Sequence, residues 1–224
     1  MANIKAVEGN AEDRQRISTV YTRAFAHDPV IEYMLGMTPE KKSAYLPKYF
    51  DYLTVAASLN KGLFFEANDW SSCAVCMPPQ QKIDSPRTLI PSGLIWMTLD
   101  VGIASSWRMI SEFPSAVGPA KKKGLGNQKD FYYLFFIATD PDHQGQGLAS
   151  AIIRVLQERA GKEGLPIWLE ATTTKSRDTY QRLGFKEVEE VRAGKGKVNA
   201  DGIREKDGKG VPLWAMIWWP ESKA

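Results

Sequence analysis

The segment Ile137-Ala138-Thr139-Asp140-Pro141-Asp142-His143-Gln144-Gly145-Gln146-Gly147-Leu148-Ala149 decides how this chain is read. Apolar residues run to Thr139, Asp140-Pro141 interrupts them, and a helical pattern begins after Gly147. The segment is a strand, a sharp turn and the first turn of a helix. The first N–H groups of a helix lack partners within it, and the helix dipole adds partial positive charge there. Such a loop is an anion site suited to a phosphate or pyrophosphate. Side chains at 145 and 147 would hold a phosphate off the backbone, and glycine at both places removes that obstacle.

Spacing excludes two phosphate loops. No G-x-x-x-x-G-K-[ST] sequence is present, and Gly145-x-Gly147-x-x-Ser150 fails the last position of the dinucleotide fingerprint. Downstream, Leu148, Ile152, Val155, Leu156 and Arg159 follow an amphipathic helical pattern, with Arg159 at its exposed edge and Gly161 or Gly164 as its stop. Pro166-Ile167-Trp168-Leu169-Glu170-Ala171 then reads as a buried strand, which makes a βαβ unit with two parallel strands. Ser176 is the expected N-cap of a short helix through Leu183, with Gly184 just past its end.

The spacing Gln144-x-x-Gly147-x-Ala149 resembles the Q/R-x-x-G-x-G/A signature of the GNAT acyl-CoA N-acetyltransferases. Tyr180-Gln181-Arg182-Leu183-Gly184-Phe185 resembles the Y-x-x-x-G-F ending of that family's second CoA motif, in family order. Puromycin-type N-acetyltransferases also share Ala24-Phe25, the strand Ala74-Val75-Cys76-Met77 before Pro78, Pro141 to Gly147, and Leu169-Glu170. Residues 91–128 show no match, and the loop between the last strands is longer than theirs. The resemblance implies an α+β fold: a mixed, mostly antiparallel sheet with a central parallel, splayed strand pair and helices on both faces. It covers a single domain over residues 1–224.

The same resemblance implies acetyl-CoA as cosubstrate. Gln144, Gly145, Gln146, Gly147, Leu148, Ala149 and Ser150 would take the pyrophosphate. Ile137, Ala138 and Thr139 would offer backbone groups to the pantetheine arm, which pairs like an added strand. The acceptor amine must lose a proton, since an alkylamine has a pKa near ~10. Glu170 is the candidate base, with a water relay as the alternative, because the place of the central-strand glutamate of some members falls near Tyr133. Tyr180 is the candidate acid for the departing thiolate, and the Ala138 or Thr139 N–H would contact the oxyanion. Phe25, His27, Tyr33 and Tyr133 are candidates for the acceptor pocket, with Tyr49, Trp96 and Trp107 nearby. His143 is read as a surface residue.

Composition bounds these readings. With 43% hydrophobic and 25% charged residues the chain is of globular type, and a net charge of +3 gives no case for nucleic acid. No apolar run reaches the ~18 residues of a membrane span. Met1 to Glu8 lacks a secretory apolar region, so a cytoplasmic location is expected. Cys73 and Cys76 sit an odd number of residues apart in an apolar strand, hence on opposite faces, and only His27 and His143 are available to complete a metal site, so none is expected.

Elsewhere the pattern predicts a helix opened by Asn10 and Asp13 through Phe25. A short helix over Val30–Leu35 and a third from Pro39 follow. Gly62–Ala67 and Ser72–Met77 form a hairpin through Asn68-Asp69. Residues 80–90 read as loop. Leu94–Trp107 reads as a buried or pocket-lining helix, and 112–129 as a polar connection. Lys121-Lys122-Lys123 falls there as a solvated loop, with contact to the CoA 3′-phosphate as the other reading. Tyr132–Thr139 is the central strand, and Lys186–Val191 and Val211–Trp218 are the last two. They flank a long, mobile loop over 193–210.

The expected reaction is acetyl transfer from acetyl-CoA to a primary amine of a small molecule, with xenobiotics and antibiotics among the acceptors. The alternatives are a protein or peptide acceptor, and a non-catalytic acyl-CoA-binding module.

Overall fold

The computed structural model describes residues 6–221; most of the Met1–Glu8 stretch read above for a secretory signal lies outside them. The described strands form one sheet in the order β1-β2-β3-β4-β5-β7-β6. They are β1 (Ala6–Glu8), β2 (Leu63–Ala67), β3 (Ser72–Met77), β4 (Tyr132–Thr139), β5 (Ile167–Ala171), β6 (Lys186–Ala193) and β7 (Val211–Trp218). Only β4 and β5 run parallel; the other neighbours are antiparallel.

The β4–β5 pairing is short. Tyr132 meets Ile167 and Tyr133 meets Trp168, and no further residues pair. Beyond Tyr133 the strands diverge into a fork, while β4 stays paired to β3 as far as Thr139. An irregularity helps aim the fork. Val75 pairs with Phe136 and Cys76 with Leu134, so Phe135 is an extra residue on β4. The bulge breaks the alternation of faces. Leu134 packs on one side of the sheet, whereas Phe135 and Phe136 both pack on the other.

Helices cover both faces. On one, α6 (Leu148–Glu163) buries Leu148, Ile152, Ile153, Leu156 and Ala160 against Phe65, Leu134, Leu169 and Met216. It stops at Gly164, in the left-handed region at φ 70°. Across the sheet, α1 (Arg14–Ala24) and α3 (Pro39–Leu59) pack on β3 and β4 around Tyr21, Phe50 and Val75. There α2 (Pro29–Leu35) meets β7, and α5 (Phe113–Leu125) lies on Trp168, Ala215 and Ile217. Gly124 permits that approach: a Cβ there would sit 2.6 Å from the Trp168 ring. Cys73 and Cys76 occupy opposite faces of β3, each in a different core.

Four expectations need correction. Residues 112–129 are not a plain connection: α4 (Leu94–Trp107) is broken at Gly102, where the backbone turns to φ 79°, and its second part continues through a π-turn over Arg108–Glu112 into α5. Gly118, Gly124 and Pro119 disguise it, although helix interiors tolerate them when tertiary packing compensates. The apolar α4 is largely uncovered on one side, with Leu99 69% and Ile103 91% exposed. The N-cap of α7 (Thr174–Arg182) is Thr173, with Ser176 the reciprocal partner three residues on. Finally, the 194–210 loop is tied down by its own hydrogen bonds, among them Gly196 N–H to Gly208 and Gly210 N–H to Val198, and by an isolated Val198–Arg204 bridge.

Candidate active site

A cavity of about 1080 Å³ enters the fork and reaches the helices above it. At one end lies the turn between β4 and α6. Gly145 and Gly147 adopt φ 79° and 80°, a conformation that costs an L side chain about 1–2 kcal/mol. Among the described residues, the backbone N–H groups of 145–150 have no hydrogen-bond partner. They form the free positive end of α6. Arg23 of α1 pins the start of the turn, with one guanidinium nitrogen 2.5 Å from Asp140 and another 2.8 Å from Asp142. Lys175, at the start of α7, donates to the Gln144 side chain at 2.9 Å and brings a cation to the loop. These groups suit a pyrophosphate.

The predicted loop residues gather as expected. Ile137, Ala138 and Thr139 line the cavity from β4, and Gln144, Gly145, Gly147, Leu148, Ala149 and Ser150 line it from the turn and helix; Gln146 is exposed and does not. His143 also lines it, with its Nδ1 buried and without a hydrogen-bond partner among the described residues.

Glu170 faces the cavity from β5. Its carboxylate accepts from the Tyr133 hydroxyl at 2.7 Å and from the Trp168 indole N–H at 2.5 Å. The two donors fix its orientation. Burial, and then the Glu170 charge, pushes the Tyr133 phenol well above its ordinary value, so Tyr133 remains a donor. Tyr180 lines the same cavity from α7 and packs at a tilt of 55° on Phe185, ring centroids 5.7 Å apart. Burial raises its phenol too, which keeps it protonated and able to donate. No hydrogen bond among the described residues occupies its hydroxyl.

Of the pocket candidates, Phe25, His27 and Tyr133 line the cavity, together with Tyr49. Tyr33 does not. It lies beneath the 193–210 loop, donates to Glu112 at 2.5 Å, and borders a separate cavity of about 510 Å³. Trp96 and Trp107 are more than half exposed, because they project from the uncovered side of the α4 segment.

Asp28 escaped the sequence reading, and Lys121 entered it only as part of a solvated loop or of a CoA 3′-phosphate contact. Asp28 is a buried cavity residue that caps α2, accepting from the Val30 and Ile31 N–H groups at 2.9 and 3.0 Å and from the Thr172 hydroxyl at 2.6 Å. Burial raises its carboxyl above the usual range. Lys121 belongs to α5 and lines the cavity beside Glu170, not a solvated loop. The Asp28-Pro29 dipeptide was a legible signal for the first; Lys121 carried none once its helix was missed.

Comparison with known proteins shows what the chain is similar to. Residues 108–185 match the model of the acetyltransferase (GNAT) family. The chain is 26% identical over 216 residues to an uncharacterized N-acetyltransferase of Schizosaccharomyces pombe, covering 96% of this chain and 83% of that protein. Both likenesses point to acetyltransferases of the GNAT type, the first over about a third of the chain and the second over nearly all of it. Solved structures agree in fold. A histone acetyltransferase HPA2 and related acetyltransferase from Corynebacterium glutamicum superposes with TM-score 0.61 at 22% identity, over 99% of this chain and 98% of that one. A Drosophila melanogaster polyamine N-acetyltransferase gives 0.65 at 12% identity, over 97% of this chain and 100% of that one. GNAT acetyltransferases use acetyl-CoA, and the free N–H groups at 145–150 of this chain fit a pyrophosphate.

Proposed function

We propose that this acetyltransferase is a cytoplasmic enzyme, one domain over residues 1–224, that moves the acetyl group of acetyl-CoA to a primary amine of a small molecule; xenobiotics and antibiotics are among the acceptors to test. The observation that carries the reading is the continuity of one cavity from the unpaired N–H groups of α6 to the Glu170 carboxylate, with the Tyr180 hydroxyl on its wall. The roof formed by α4 and α5 favours a small acceptor over a polypeptide. The polyamine and arylalkylamine N-acetyltransferases among the structural relatives are, by their names, enzymes of small amines.

Residue roles follow from chemistry. Glu170, directly or through a water, takes the proton of the acceptor ammonium. The neutral nitrogen attacks the thioester carbonyl, and the Ala138 or Thr139 N–H receives the developing oxyanion. As the C–S bond breaks, Tyr180 gives its proton to the thiolate, and the proton shed by the nitrogen as it becomes an amide restores the phenol. Transfer is direct, with no acetylated enzyme.

The test is CoA release over a panel of aromatic amines, polyamines, aminonucleosides, aminoglycosides and N-terminal peptides. Tyr180→Phe and Glu170→Gln should each lower kcat by about 10²-fold on the best acceptor. A best acceptor that is a peptide would overturn the small-molecule reading. Full activity of both variants would remove the assigned acid and base.

A further inference from the structure

Lys121 stands where a plain amine site has no use for it. Its side chain leaves α5 and lies over two aromatic rings, its Nζ 4.3 Å from the Tyr133 centroid and 4.6 Å from that of Phe131. It lines the same cavity as Glu170. Yet it forms no ion pair or hydrogen bond with Glu170 or any other described residue. The Glu170 oxygens are taken up by Tyr133 and Trp168 instead. The Asp28 carboxylate, elsewhere on the same cavity, is satisfied by two backbone N–H groups and Thr172. Apolar and aromatic side chains, Phe25, Tyr49, Phe135 and Phe136 among them, make up much of the remaining wall.

A largely buried ammonium that Glu170 influences only at a distance, with no direct ion pair, is costly, and a low-dielectric wall strengthens whatever charge is brought to it. Burial depresses the Lys121 pKa, the charge of Glu170 offsets part of that, and nearby Lys82 adds to the depression. A ligand anion would relieve both. The position of Lys121 says which ligand. Tyr133, beneath it, is the last β4 residue paired with β5. The pyrophosphate loop begins beyond Thr139, six residues further along, or roughly 20 Å of extended strand. Lys121 therefore serves the end of the cavity away from the CoA loop, where the acceptor enters.

We infer that the acceptor is an amine that also carries a carboxylate, its ammonium placed by Glu170 and its carboxylate by Lys121. This rests on the small-amine reading above and narrows it. Plain monoamines lack the second contact, and polyamines would place a cation against Lys121.

The experiment compares matched acceptors on the full chain with acetyl-CoA: β-alanine against propylamine, γ-aminobutyrate against butylamine, phenylalanine against phenethylamine. For at least one pair, kcat/KM should favour the amino acid by about 10- to 100-fold, the range of a charge-assisted hydrogen bond. Lys121→Met should bring that ratio close to one, mainly through KM for the amino acid, and Lys121→Arg should retain part of it. A wild-type ratio near or below one in every pair, with the amines still acetylated, overturns the inference and leaves the proposed function standing. So does a preference that appears only when succinyl-CoA replaces acetyl-CoA, since the carboxylate then belongs to the donor. Absence of turnover on these pairs and on every amine of the wider panel overturns the proposed function and this inference with it.

Discussion

The Tyr133 hydroxyl reaches across the sheet to Glu170, 2.7 Å from its carboxylate oxygen. The bond spans β4 and β5 at their last paired position, where the fork opens. Tyr133 thus acts as a positioning residue for the proposed base. Tyr133→Phe keeps the ring under Lys121 but removes one of two donors to Glu170. The expected result is about a 10-fold loss of kcat, the lower end for a hydrogen bond to a charged group, with KM for acetyl-CoA unchanged. Steady-state kinetics beside Glu170→Gln checks it. Wild-type kcat in the Phe variant would mean that Trp168 alone suffices.

Gly145 supplies a second prediction. Its φ of 79° lies in the left-handed region, while a Cβ there would meet nothing within 4 Å. Within the protein the cost of alanine is therefore conformational, about 1–2 kcal/mol, and the added methyl would also stand between the backbone and a phosphate. A loop relaxed away from that conformation turns its N–H groups off the pyrophosphate. Gly145→Ala should weaken acetyl-CoA binding by about 5- to 30-fold, measured by calorimetry. Equal affinity would show that the site tolerates the displaced backbone.

The parts legible in the sequence were those set by local rules. The strand, glycine turn and helix over 137–160 follow from periodicity and from residues that favour positive φ, and the structure puts that turn on the wall of the cavity. Glu170 and Tyr180 were found by their motif neighbours, and both line the cavity. What stayed hidden depends on distant packing. The α5 helix contains Gly118, Pro119 and Gly124, local breakers whose cost is offset by packing on Trp168, Ala215 and Ile217. With the helix missed, Lys121 read as solvated. Tyr33 looked like a pocket aromatic because it follows Phe25 and His27, but its position on α2 turns it toward Glu112. Helical spacing reveals a side chain's face but not which of two cavities that face meets.

Asp28 joins the acceptor side of the cavity to the end of β5 through Thr172, 2.6 Å away. Asp28→Ala removes the α2 cap and leaves two N–H groups and a hydroxyl without their acceptor. Relief of the buried charge offsets part of that loss. A net destabilisation of about 1–3 kcal/mol is expected, together with a raised acceptor KM as the neighbouring His27 shifts. Asp28→Asn keeps an acceptor for the cap and should stay within about 1 kcal/mol of wild type. Denaturant melts of both variants separate these outcomes. An alanine variant as stable as wild type would show that the buried carboxylate cost as much as its bonds returned.

Burial raises the phenols of Tyr21, Tyr49, Tyr133 and Tyr180 and the thiols of Cys73 and Cys76 above their ordinary values. In the unfolded chain the thiols lose protons near pH ~8.5 and the phenols near ~10. The folded protein keeps those protons, so above these values the unfolded state binds fewer protons and stability falls as pH rises. Each group adds a slope of up to about 1.4 kcal/mol per pH unit once the unfolded form titrates, and none contributes at neutral pH. Denaturation midpoints should hold steady to about pH 8, decline gently from there, and drop steeply above about 10. Phenolate absorbance from these four tyrosines should appear only with unfolding. If their absorbance rises near pH 10 while circular dichroism remains native, the phenols are reachable by solvent, and the protonated state assigned to Tyr180 as acid loses its physical basis.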